Sequence, residues 1–243
     1  MIKNKSTLFS LKEIYKKVFN IEFSYQELTA ILSSSKRVFL KKGKSISQDN
    51  YGPGVFVISR GNVLYSKKLS SKEKLSTTIL APGSLIREIE TIKSNGNIQA
   101  LNDLDLFFID ETTLQSNKDK WLTFMNFVKF TEVNVTHKVF DMMMLRSQLS
   151  KREHIILMLS LYFKALRPIN IDTLDISIED AASLSGTTRQ YYSKAVNELI
   201  SLKIIEHSYS TIKLISYEKL IALNKGTALS TIDKIIEHGE RCI

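Results

Sequence analysis

The chain has 243 residues, 43% of them hydrophobic and 24% charged, with 9 Gly and 3 Pro. That composition excludes collagen-like, low-complexity and wholly disordered chains and leaves room for one large or two modest folded domains. The net charge of +9 suits a polyanionic partner, yet its distribution matters more: residues 1–60 carry 11 Lys and Arg against 4 Asp and Glu, whereas 147–243 carry 12 against 11. The one cysteine, Cys242, stands next to the last residue, so an intramolecular disulfide, a CxxC pair and a thiolate cage for zinc or iron–sulfur are excluded. No uncharged apolar run approaches roughly 18 residues, and the N-terminus lacks the apolar core of a signal peptide, so a cytoplasmic protein without a membrane partner is expected.

Residues 1–35 form the first region. Leu11, Ile14, Tyr15 and Val18, then Leu28, Ile31 and Leu32, recur near helical spacing, which predicts one or two short helices over 8–34. From Val38 the texture changes to short β-branched and aromatic runs: VFL (38–40), VFVIS (55–59), VLYS (63–66), STTIL (76–80), SLI (84–86), IQAL (98–101) and LFFI (106–109). Turn formers separate them, among them Lys42-Gly43, Arg60-Gly61, Pro82-Gly83 and Asn95-Gly96-Asn97, so 36–117 reads as an all-β module. Residues 118–146 hold neither Gly nor Pro and predict one helix of about 43 Å at 1.5 Å per residue. Trp121, Met125, Val128, Glu132, Val135, Val139 and Met142 follow a 4-3-4-3 spacing, the pattern of a dimerisation seam between two such helices. Phe124, Phe127 and Phe130 point elsewhere on the helix, so packing on the chain's own β module stands as the alternative.

The segment 147–217 opens with Ser150 and Glu153 in capping-box spacing, followed by a helix that ends at Arg167-Pro168. After a polar linker, two helices flank Ser185-Gly186, with the small Ala181 and Ala182 where they approach and Gly186 at a tight turn. Thr187 or Thr188 caps the second helix, and Gln190 stands at the capping-box position for Thr187. This spacing predicts a helix-turn-helix whose second helix turns Thr188, Arg189, Gln190, Ser193, Lys194 and Asn197 outward and Tyr192, Ala195, Val196 and Leu199 inward. Arg can bond guanine O6 and N7 together, Gln can do the same at adenine, and Lys serves guanine or phosphate. Residues 205–215 predict two short strands, a wing on which Lys213 reaches phosphate, and a small helix and tail fill 218–243. A plain helical hairpin with a solvated polar face is the competing reading.

The order of β module, long apolar helix, helix-turn-helix and wing resembles the Crp/Fnr superfamily of bacterial transcription regulators over about residues 36–217. FLKKGKSI, VFVISRGNV and APGSLIREI are similar to the strand-turn-strand units of that family's β-roll, with Gly43, Gly61 and Gly83 at its turns. GTTRQYYSKAVNEL resembles its recognition-helix motif, with Arg189, Gln190 and Lys194 at the DNA-reading positions. The resemblance implies an α+β chain: a cyclic-nucleotide-binding-like β-roll, a long dimerisation helix and a C-terminal winged helix-turn-helix. It implies a homodimer on an inverted-repeat operator in double-stranded DNA, with RNA polymerase as a candidate partner.

The departures concern the sensor. Nucleotide-binding members carry a Gly-Glu-Leu turn and then an arginine and a small hydroxyl residue that hold the cyclic phosphate. Here Arg87 replaces the glycine before Glu88, and the following loop offers Ser94 and Asn95 without an arginine, so Arg87, Glu88, Ser94 and Asn95 stand as a pocket remnant that lacks the bidentate phosphate partner. The iron–sulfur and haem ligands of other members are missing too, and the expectation is no cofactor and no metal. Tyr192 fills a helix-turn-helix position usually given to a small aliphatic, beside a compensating Ala195. The four histidines are scattered and no HExxH, GxSxG, P-loop or GxGxxG occurs, so an enzyme is not expected. The rival class is a protein-interaction module that retains an unused helix-turn-helix.

Overall fold

A computed structural model of the chain describes residues 5–47, 50–68, 74–88, 96–131 and 149–223. It divides into two compact units, 1–136 and 137–243. The first begins with helices α1 (Lys5–Phe19) and α2 (Tyr25–Ser33) and continues with eight strands: β1 (Lys36–Leu40), β2 (Ser45–Ser47), β3 (Gly54–Arg60), β4 (Val63–Lys68), β5 (Lys74–Leu80), β6 (Leu85–Glu88), β7 (Gly96–Ala100) and β8 (Leu104–Asp110). A short helix α3 (Glu111–Ser116) and a helix α4, described over 122–131, complete the unit.

The strands form two four-stranded sheets of order β1-β8-β3-β6 and β2-β7-β4-β5, antiparallel throughout. In a strand, alternate side chains face opposite ways, and β3 and β8 use both faces. Phe56, Ile58, Leu104, Leu106 and Phe108 fill the space between the sheets with Val63, Ile86, Ile98 and Ala100. Val55, Val57, Phe107 and Ile109 point the other way and meet α1, α2, α3 and α4. The continuous burial of both strands follows from this double duty. The unit is therefore three layers deep: helices, one sheet, then the other.

The helical layer is built on aromatic contacts. Tyr15 of α1 lies 5.3 Å from Phe127 and 4.8 Å from Phe23, and Phe19 lies 5.1 Å from Phe127, all within the favourable range for offset or edge packing. Burial raises the pKa of the Tyr15 hydroxyl. α1 also closes on the β5–β6 turn: Gly83 has φ +90°, and a Cβ there would stand 2.6 Å from Ile14 Cγ2 and 2.8 Å from Phe19 Cε2. Both its backbone and its neighbours demand glycine. α4 begins where Glu27 of α2 reaches across, its Oε1 accepting from the Phe124 N–H at 3.0 Å, so a carboxylate from elsewhere in the chain satisfies an orphan donor of the first turn.

This placement corrects the seam expected from heptad spacing. Trp121, Met125 and Val128 are buried in the unit's own helical layer, Trp121 at 2% exposure. A stripe consumed in the protomer's core cannot also face a partner. Leu122, at 63% exposure, and the polar Asn126 and Lys129 lie on the outer face instead. The remaining residues of that spacing, Glu132, Val135, Val139 and Met142, lie outside the described residues, as does the later part of the expected long helix.

The second unit contains α5 (Lys151–Leu166), a 3-10 turn (Arg167–Ile169), β9 (Thr173–Asp175), α6 (Ile178–Leu184), α7 (Arg189–Ser201), β10 (Ile205–Ser208), β11 (Thr211–Leu214) and α8 (Tyr217–Ala222). The Ser150–Glu153 capping box forms as expected, with the Ser150 N–H donating to Glu153 Oε2 at 2.8 Å. The region read as a polar linker instead contributes β9, which pairs with β11 through Leu174 opposite Ile212 and gives a three-stranded sheet, β10-β11-β9. Thr211 Oγ1 donates to Asp175 Oδ1 at 2.7 Å and fixes that register.

Trp121 is the sole tryptophan, so its emission reports the first unit alone. Phe127→Ala should lower that unit's stability by about 3–5 kcal/mol, the usual cost of deleting a buried aromatic. Urea unfolding followed by tryptophan fluorescence, with size measured by light scattering, checks both this and the assignment of α4 to the protomer's core.

Candidate nucleic-acid interface

α6 starts on Ser177, whose Oγ accepts from the Asp180 N–H at 3.0 Å, with Glu179 and Asp180 complementing the positive end of the helix. It stops at a Schellman turn: Gly186, at φ +60°, donates to Ser183 O at 3.0 Å and Thr187 N–H donates to Ala182 O at 2.9 Å. The buried Ala181 and Ala182 hold the close approach of the two helices. The turn is also gripped from α5. His154, buried, sits with Nδ1 3.0 Å from the Ser185 carbonyl, and since a carbonyl only accepts, Nδ1 carries the proton.

α7 is capped by Thr188, whose Oγ1 accepts from the Tyr191 N–H at 3.3 Å. This decides between the two threonines and corrects the capping-box expectation: the third residue after the cap is Tyr191, so Gln190 is released from the backbone. Its side chain stands exposed with Thr188, Arg189, Lys194 and Asn197. Ser193 is half-buried at the edge of this face, a departure from the outward placement expected. Tyr192, Ala195, Val196 and Leu199 are buried as expected. The bulk of Tyr192 is therefore taken inward, where burial raises the pKa of its hydroxyl.

Sequence reasoning passed over Tyr191. It is 37% exposed in the first turn of α7, beside Arg189 and Gln190, and Lys151 Nζ lies 5.9 Å from its ring centre. Two adjacent tyrosines on a helix face about 100° apart, and with Tyr192 assigned inward the outward turn of Tyr191 was available from the helical period.

Arg152 of α5 fixes the axis of α7. Its Nε lies 3.0 Å from Glu198 Oε2 and 3.1 Å from Oε1, and Nη2 adds a further bond to Oε1. These bonds hold the Glu198 carboxyl below its usual pKa and raise that of Arg152. The wing face is less basic than Lys213 alone suggested: Lys213 is exposed, but it stands directly across the ladder from Glu206. Asp175 shares that outer face through its pairing with Thr211.

Of the four sensor residues, Arg87 is the one whose side chain is described. Ile86 faces the interior between the sheets, so the alternation of β6 turns Arg87 to the other side, where Nη2 lies 3.3 Å from both Glu111 oxygens at the start of α3. Arg87 thus joins β6 to α3. The Glu88 side chain, Ser94 and Asn95 lie outside what is described. The interior itself carries a packed trio, with Phe56 4.7 Å from Phe108 and Tyr51 5.1 and 5.2 Å from the two. Among the described residues no three His, Cys, Asp or Glu form a metal-holding group, and no helix is long and apolar enough to cross a membrane.

The Arg152–Glu198 pair has a pH signature. A carboxyl whose pKa is depressed by folding stabilises above its unfolded value, near about 4.3, and loses that contribution as pH falls through the lower folded value. Both side chains are more than a third exposed, 38% and 43%, so solvent screening limits the gain to about 0.5–1 kcal/mol. Glu198→Gln should cost that much at pH 7 and nothing at pH 3, as read by urea unfolding monitored by circular dichroism.

No family model matches the chain, and no curated protein matches it. Solved structures do. The chain is similar to FixK2 from Bradyrhizobium japonicum, with TM-score 0.62 at 16% identity over 78% of this chain and 96% of that one. It is similar to the c-di-GMP-responsive global regulator CLP of Xanthomonas campestris, with TM-score 0.57 at 15% identity over 79% and 100%. A transcriptional regulator of the CRP/FNR family from Thermus thermophilus gives TM-score 0.54 at 16% identity over 77% and 97%. At these identities the likeness speaks for architecture, and the architecture of this chain, β-roll and winged helix-turn-helix together, is that of solved Crp/Fnr-type transcriptional regulators.

Proposed function

We infer that the chain is a sequence-specific DNA-binding transcription regulator of the Crp/Fnr type, acting as a homodimer on an inverted repeat and working without a cyclic nucleotide. The observation that carries this reading is the second helix of the helix-turn-helix. A Thr188 cap frees Gln190, and an apolar face anchored by Tyr192, Ala195, Val196 and Leu199 leaves Arg189, Gln190, Lys194 and Asn197 exposed together. These donors suit base edges in a major groove, with Thr188 and Ser193 at the margin for phosphate or base. The fold of solved transcription regulators supports the same role. A two-fold dimer would place two such helices about 34 Å apart, so the operator is an inverted repeat with half-site centres about ten base pairs apart. Of the expected seam, Val135, Val139 and Met142 are the residues left for the subunit contact. RNA polymerase is the partner through which such a regulator acts.

Independence from cyclic nucleotide rests on two observations. The space between the sheets holds Tyr51, Phe56 and Phe108 against one another, and Arg87, the one arginine of β6, is engaged with Glu111. An anionic phosphate in such an apolar interior would lose its hydration without a charged partner, at a cost of several kcal/mol. Calorimetric titration with cyclic AMP and cyclic GMP should give no saturable heat at micromolar concentration; saturable binding that Glu88→Ala abolishes would overturn this part of the reading.

Selection of bound duplexes from a randomised pool tests the function itself. The wild-type chain should enrich an inverted repeat. Arg189→Ala should relax one base of each half-site while largely sparing non-specific binding, since each bidentate guanine bond is worth about 1–3 kcal/mol of discrimination. If Arg189→Ala and Lys194→Ala both select the wild-type sequence with wild-type affinity, α7 is not the reading head and the protein-interaction reading takes its place.

A further inference from the structure

The tip of the wing carries a residue that the fold does not need there. Ser208 and Thr211 pair across a turn made of Tyr209 and Ser210. Tyr209 has φ +51° and is 98% exposed. Left-handed backbone is tolerated by glycine and by short polar residues such as Asn, and is unfavourable for a bulky side chain. Of the other three non-glycine residues with positive φ among those described, Asn20 and Asn170 fit this preference, and Lys203 departs from it at a helix end, where its N–H donates to Ile200 O at 2.9 Å and Ile204 N–H to Leu199 O at 3.0 Å as α7 closes. Tyr209 closes no helix. An aromatic ring is held off the protein, on a backbone conformation that disfavours it, at the end of the β10–β11 hairpin. A local cost of this kind points to a task outside the chain.

Resting on the DNA-binding reading above, we propose that the wing meets the duplex through the Tyr209 ring, seated as an uncharged wedge in the minor groove beside the half-site, and not through a phosphate contact of Lys213. Charge favours this division. The outer face of the wing presents Asp175 and Glu206 with Lys213 between them, so it offers phosphate no net attraction. A minor groove about 6 Å wide accepts the edge of an aromatic ring, its floor presents acceptors to a phenol O–H, and apolar side chains wedge there at flexible base steps. Reach is adequate. The four residues of β10 carry the tip about 13 Å from its start at 3.3 Å per residue. That is close to the roughly 17 Å, half of the ~34 Å turn, that separates neighbouring grooves.

The test uses the full-length chain on its selected duplex, with 2-aminopurine placed at a pyrimidine–purine step flanking each half-site and affinity followed by anisotropy between 50 and 200 mM salt. The wild type should brighten the 2-aminopurine as the step unstacks. Tyr209→Ala and Tyr209→Asn should bind about 5- to 20-fold more weakly with the salt slope unchanged and the brightening abolished. Tyr209→Trp should keep both, and Lys213→Ala should bind within about twofold of wild type. Tyr209→Asn should also melt at or above the wild-type temperature, because Asn accepts the turn's backbone, which separates a missing wedge from a damaged fold. The proposal is overturned if Tyr209→Ala binds like wild type, or if its weakening comes with a salt slope shallower by near 0.9 for each phosphate no longer neutralised, or if the wild type leaves 2-aminopurine dark. Failure of the wild type to select any duplex removes the DNA-binding reading itself, whereas normal selection with a silent Tyr209→Ala removes the wedge alone.

Discussion

The two-faced burial of β3 and β8 is the constraint on which the first unit depends. Each of their apolar residues must find a partner above or below the sheet, so neither face can be left open to water. One set, with Phe56 and Phe108 among it, requires the second sheet; the other, Val55, Val57, Phe107 and Ile109, requires a helical lid. At about 1.5–3 kcal/mol for each large side chain buried, losing either layer would cost as much as the whole stability of an ordinary domain, about 5–15 kcal/mol. The lid is therefore not an ornament. It explains why α4 places Trp121, Met125 and Val128 inside the protomer, why Glu27 crosses to cap it, and why Gly83 must be bare where α1 lands.

The second unit is organised by a smaller device, the turn at Ser185–Gly186–Thr187. Its carbonyl at Ser185 is held by His154 and its amides return to Ala182 and Ser183, so the angle between α6 and α7 is fixed from both sides. Arg152 then fixes the far end of α7 through Glu198. Two anchors on one helix leave its first turn, Arg189 to Tyr191, presented from a rigid base. Precision of that kind is what directional base contacts require, since a bidentate bond tolerates little misalignment.

Much of this was legible in the sequence, and the misses have physical causes. Short apolar runs punctuated by glycine announced the β-roll, and the Ser150–Glu153 and small-small-glycine spacings announced α5 and the helix-turn-helix, because those signals are local. β9 was missed because it has three residues and one buried side chain, Leu174, and exists only through pairing with β11 nearly forty positions on. The short α3 escaped too, although Asp110, which accepts from the Thr113 N–H at 2.8 Å, is an ordinary N-cap. The heptad stripe of α4 was correctly seen as apolar but assigned to another subunit: periodicity says which side of a helix is buried, never what buries it. Arg87 could have been placed from parity alone, since a strand that sends Ile86 inward must send its neighbour outward. Glu206 opposite Lys213 was invisible until the hairpin register was known.

The charge distribution sets how such a protein can bind. With 12 Lys and Arg against 11 Asp and Glu over 147–243, the half that holds the helix-turn-helix has almost no net charge to attract a duplex from a distance, and the wing face around Lys213 is acidic on balance. Non-specific affinity for DNA is largely electrostatic, so in the proposed role it is low, and specific affinity has to come from short-range contacts: Arg189, Gln190 and Lys194 on base edges and an aromatic ring at the wing. Low background and directional contacts push in the same direction, toward a large ratio of specific to non-specific binding. The same weak long-range attraction makes recognition sensitive to position, because such a helix is useful only where its donors align. In the proposed role, that is why the anchors behind α7 would matter as much as the side chains it presents.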